Sequence, residues 1–129
     1  MTLKSPIAIA LLTILLSSTA GAHHNMSALF DFDNRVTATG TLTRADWRNP
    51  HIQLTVEVNK NGQTETWTFE GPPPVFFKER DITKADFEGA FGKTVTVEAS
   101  RARDGSQTGL LRTMTLPSGK FVSASPQNC

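Results

Sequence analysis

The chain has 129 residues, 13 Lys and Arg against 12 Asp and Glu, and one cysteine, Cys129. Balanced charge without a basic run argues against nucleic acid and anionic membrane surfaces as partners, because both draw affinity from neutralised phosphates. A single cysteine excludes an internal disulfide; Cys129 reads as a free thiol at a frayed end, with pairing between two chains as the alternative.

The first residues indicate export. Lys4 gives a positive start, Ile7 to Leu16 form an apolar run interrupted only by Thr13, and small residues follow from Ser17. Ala20-Gly21-Ala22 is the small-x-small pattern cut by signal peptidase. A membrane span needs ~20 apolar residues, and this run is much shorter. Residues 1–22 are therefore expected to be a signal peptide cleaved between Ala22 and His23. The mature chain would be periplasmic or secreted, with no membrane span. Residues 23–129 suit one domain, large enough to bury over ~60% of its unfolded surface.

Residues 23–35 read as a polar leader carrying an aromatic patch, Phe30 and Phe32. Alternation of period two then starts: Val36, Ala38, Gly40 and Leu42 share one face, and threonines occupy the other. The apolar phase slips by one residue before Ala45 and Trp47, which predicts a bulge near Gly40 to Arg44. Arg48-Asn49-Pro50 breaks the strand. Ile52, Leu54, Val56 and Val58 alternate next, and Asn61-Gly62 is a hairpin turn signal. Trp67 and Phe69 share the buried face of a third strand.

Gly71-Pro72-Pro73-Pro74 ends this meander. Phe76, Phe77, Ile82, Phe87 and Phe91 fit helical spacing, and Thr83 with Asp86 resembles a helix start. Val95, Val97 and Ala99 mark a fourth strand, Asp104-Gly105 a turn, and Leu110, Met114 and Leu116 one face of a fifth, with Arg112 the exception. Pro117-Ser118-Gly119 leads into a short last strand. Residues 36–123 are thus expected to be an all-β domain, and 124–129 a disordered tail. The order of elements predicts a small OB-like barrel of five to six strands, with one or two short helices between strands three and four. A small sandwich is the rival.

Three histidines carry the most pointed chemistry. His23, as the mature N-terminus, offers an α-amine and an imidazole to one metal ion. His24, in second place, offers amine, amide nitrogen and imidazole. Both modes suit copper(II), which prefers tetragonal nitrogen ligands. His51, directly after the Asn49-Pro50 break, supplies a further nitrogen at a loop edge, and Met26 a soft supplement. The competing reading makes His23 and His24 solvated leader residues and His51 a turn-pinning side chain. The protein would then be a non-metal envelope interaction or structural protein using an aromatic strand face. Phe30, Phe32, Trp47 and Trp67 could line a groove for a small ligand, or simply fill the core. No G-x-S-x-G elbow, H-E-x-x-H pair or phosphate loop occurs, so an enzyme is not expected. A copper oxidase-type centre is the enzymatic alternative.

Several landmarks form a set: Ala22-His23-His24, then Trp47-Arg48-Asn49-Pro50-His51, Trp67-Thr68-Phe69-Glu70-Gly71, Arg101-Ala102-Arg103-Asp104-Gly105-Ser106 and Leu116-Pro117-Ser118-Gly119. In these the chain resembles a family of short, secreted, uncharacterised bacterial proteins classed only as a domain of unknown function. The resemblance implies secretion and a small β-fold and brings no activity. It departs from the family pattern after His24, where Asn25-Met26 precedes the usual serine.

Overall fold

The computed structural model describes residues 26–124. A helical turn at residues 26–29 leads into six strands, β1 (Phe30–Asp46), β2 (Gln53–Lys60), β3 (Gln63–Glu70), β4 (Thr94–Ala102), β5 (Thr108–Thr115) and β6 (Phe121–Ser123). Two short helices, Pro74–Lys78 and Lys84–Glu88, separate β3 from β4. β1 starts at Phe30, six residues before the expected Val36. The leader reading of residues 30–35 is corrected accordingly.

β1 to β3 form the expected antiparallel meander. Asn61 and Gly62 both adopt positive φ, 54° and 82°, which matches the right-handed twist of the flanking strands. The predicted bulge also exists, as a register shift between Leu42 and Arg44. It lets the long first strand turn its N-terminal part to β4 and its C-terminal part to β2.

The sheet order is β3-β2-β1-β4-β5-β6, with a further parallel pairing of β3 and β5. This overturns the OB-like barrel. The domain is mostly β, built on a curled six-stranded sheet with helices between strands. β3 and β5 meet only at Thr68–Glu70 against Thr108–Leu110. The reason is local: β5 begins only at Thr108, after the Asp104-Gly105 turn, and Gly71-Pro72 ends β3. The first half of β3 therefore has β2 alone beside it, and β6 stays at the edge on β5.

Inside the curl lies one core, with Leu42, Ile52, Leu54, Val56, Phe69, Val97 and Leu111 fully buried. Helices of five residues are too short to hold by propensity alone. Their anchors are Phe77 and Phe87, whose rings meet edge to face at 5.5 Å; burying each phenylalanine contributes about 2 kcal/mol. Pro74 opens the first helix, where a missing N–H costs nothing. Asp86 caps the start of the second by accepting from the Thr83 N–H at 2.7 Å, and it also accepts from Lys120 Nζ at 2.9 Å. The Thr83 backbone N–H first, then Lys120, hold the Asp86 carboxyl below its ordinary pKa of 3.8.

A second, smaller cluster covers the outer face of the sheet, where Met26, Phe30, Ala102 and Leu110 are buried together with Phe32 against them. Arg103 donates to the Ser27 carbonyl at 2.9 Å, and Arg112 donates to Ser100 Oγ at 2.8 Å and to the Phe32 carbonyl at 3.3 Å. The N-terminal segment is thereby fastened to β4 and β5. The expected face of β5 also needs correction. Ser100 pairs with Leu110 and Ala99 with Leu111, so Leu110 points outward with Ser100 while Leu111 joins the core. A register shift beside Ala99 then restores Met114 to the inner face. At the C-terminal end, Ala124 is buried and its N–H reaches the Arg112 carbonyl at 2.6 Å, so the tail reading fails at its first residue.

Candidate functional site

β1 and β2 are joined by the stretch that carries the sequence's most specific motif. The β2–β3 ladder continues past the strand ends, with the Gly71 N–H donating to the Ile52 carbonyl at 3.0 Å and the Ile52 N–H to the Pro72 carbonyl at 3.3 Å. The backbone immediately after His51 is therefore fixed. Gln53 pairs with Glu70 across the ladder, and His51, two residues earlier on the same face, is the diagonal neighbour of Glu70. His51 Nδ1 lies 2.6 Å from Glu70 Oε1, each side chain 24% exposed. A carboxylate beside Nδ1 favours the tautomer protonated there and leaves the Nε2 lone pair available. That arrangement orients an imidazole for a metal ion or for a polar ligand.

Register also connects this pair to the N-terminal segment. Glu70 is the parallel partner of Leu110, about 5 Å away between strands. Both side chains leave the outer face, since Phe69 and Leu111 on either side belong to the core. Leu110 in turn packs with Met26 and Phe30. Met26 thus lies on the face that bears His51 and Glu70.

Of the sequence-derived candidates, His51 sits at this partly covered edge. Met26 is buried in the apolar cluster beside it, 8% exposed. His23 and His24 lie outside the described residues, as do the expected signal peptide 1–22 and the expected tail beyond Ala124. Among the described residues, no group of three or more His, Cys, Asp or Glu could hold a metal ion; His51 and Glu70 supply two donors. Trp67 and Phe30 are core residues, and Trp47 is half-buried against Phe77 and Phe87. No sequence motif singles out Glu70 among the acidic residues. Its signal was the hairpin itself: a two-residue turn at Asn61-Gly62 pairs Lys60 with Gln63 and, counted back along both strands, Gln53 with Glu70.

Fold and edge together define a small, mostly-β domain that presents one carboxylate-held histidine beside its anchored N-terminal segment. The family of unknown function DUF6152 matches residues 11–113, and the chain belongs to that family. No curated protein matches it. Among the described residues, no helix is long and apolar enough to cross a membrane.

Proposed function

We propose that this protein is an exported copper(II)-binding module, in which His51 Nε2 and the N-terminal histidines His23 and His24 take one ion together. The supporting observation is the fixed His51–Glu70 pair on the face where Met26 is anchored. His23 is three positions before Met26 in the sequence, a reach of up to about 10 Å, while Leu110, which packs with Met26, lies one strand spacing from Glu70. Cleavage after Ala22 would free the His23 α-amine. Amine and imidazole nitrogens with His51 give the tetragonal nitrogen set that copper(II) favours over other divalent ions. Glu70 would act through His51, as carboxylates behind metal-bound imidazoles do.

Titration of copper(II) into protein beginning at His23, read by electron paramagnetic resonance, tests this. One ion per chain is expected, with nitrogen hyperfine structure that loses one imidazole nitrogen in His51→Ala and an affinity at least tenfold lower. An identical spectrum and affinity in His51→Ala would remove His51 from the site.

A further inference from the structure

The helical region and Trp47, just past the end of β1, line an open cleft of about 440 Å³, in the range of small-molecule sites. Its floor is apolar, formed by Trp47, Pro74, Val75 and Ile82. Trp47 is braced from behind, its ring 5.3 Å from Phe77 and 5.4 Å from Phe87. Val75, by contrast, leaves 57% of its surface open. Lys78 and Lys84 stand on the rim, and no carboxylate lines the cleft. Lys84 already pairs with Glu88 at 3.3 Å, and the Thr83 hydroxyl is engaged by Asp86. The Lys78 ammonium has no ion-pair partner among the described residues, the Lys78 carbonyl being engaged by the Asp81 N–H.

We propose that this cleft binds a small amphiphilic carboxylic acid, an aryl or short branched-chain acid. Its apolar body would lie on Trp47, Val75 and Ile82, and its carboxylate would meet Lys78. Charge selects the class. A cation would face two ammonium groups, and a neutral molecule would forgo the charge-assisted hydrogen bond that Lys78 can donate. The apolar floor disfavours small inorganic anions, which bring nothing to cover it. This site is separate from the histidine edge and does not rest on copper binding.

Nuclear magnetic resonance of the ¹⁵N-labelled protein, titrated with trans-cinnamate and in parallel with cinnamamide, tests the proposal. Cinnamate should produce saturable shifts at the Trp47 indole N–H and at the Val75 and Ile82 amides. Cinnamamide should bind at least fivefold more weakly. Lys78→Gln should weaken cinnamate at least fivefold and leave cinnamamide unchanged. Absence of saturable shifts at these residues, or equal affinity for acid and amide, would overturn it.

Discussion

At the scale of single residues, the sheet brings one imidazole and one carboxylate together and leaves their use to chemistry. Glu70 holds His51 through Nδ1, so its effect on a metal bound at Nε2 is indirect. Loss of such an outer carboxylate commonly costs 10–100-fold in metal affinity. Glu70→Gln is therefore expected to weaken copper(II) by about tenfold, read by competition with a chelator of known strength, while thermal stability changes little. Asp86 serves stability instead. Its carboxyl is held below 3.8 by the Thr83 N–H and Lys120. A lowered folded-state pKa means its stabilising contribution is complete above 3.8 and vanishes as pH falls through the lower folded value. Asp86→Asn should cost about 1 kcal/mol at neutral pH, the worth of a cap, and should lessen the loss of stability below pH 3.8 in urea melts.

Secondary elements show what the sequence makes legible. Alternation located β2, β3 and β4, and the Asn61-Gly62 turn carries the register that sets Gln53 opposite Glu70. Thr83 and Asp86 marked the second helix because a cap is encoded within four residues. The first strand extends further than its pattern predicts: Asp31, Asp33, Asn34 and Arg35 resemble a solvated loop, yet the register shift between Asp31 and Arg35 accommodates them against β4. Leu110 lies on the opposite face from Met114 because β5 carries one extra residue, Arg112, between Leu111 opposite Ala99 and Thr113 opposite Glu98, and that bulge reverses parity; Arg112, the exception on the expected apolar face, marks the place. Gly40 has a clear reason to be glycine. A Cβ there would collide with the backbone carbonyl of Glu57, on the strand that the bulged end of β1 must approach. Gly40→Ala should destabilise the domain by about 1–3 kcal/mol, measurable as a lower urea midpoint with an unchanged slope.

For the whole molecule, contacts between residues far apart in sequence decide both the architecture and the candidate site. The barrel expectation failed at the β3–β5 seam, whose three residue pairs depend on where β5 starts and β3 stops. The same seam sets Leu110 next to Glu70 and so joins the Met26 cluster to His51, a link that no local pattern encodes. The expected N-terminal histidines, His23 and His24, lie outside the described residues, and the surface formed around His51 was not legible in the sequence. Met26→Ser should loosen the N-terminal anchor at a cost of about 1–2 kcal/mol, modest for a core methionine because it sits at the chain's end. With a shared site it should also raise the copper(II) dissociation constant about tenfold. An unchanged constant would mean that the N-terminal histidines bind without the sheet.

Paramagnetic broadening measures that sharing most directly, because copper(II) erases resonances close to it and spares distant ones. With substoichiometric copper(II) added to ¹⁵N-labelled protein beginning at His23, the amides of His51, Glu70, Leu110 and Met26 should broaden together. Broadening confined to the residues preceding Met26, with His51 and Glu70 sharp, would contradict a site shared between the N-terminus and the sheet.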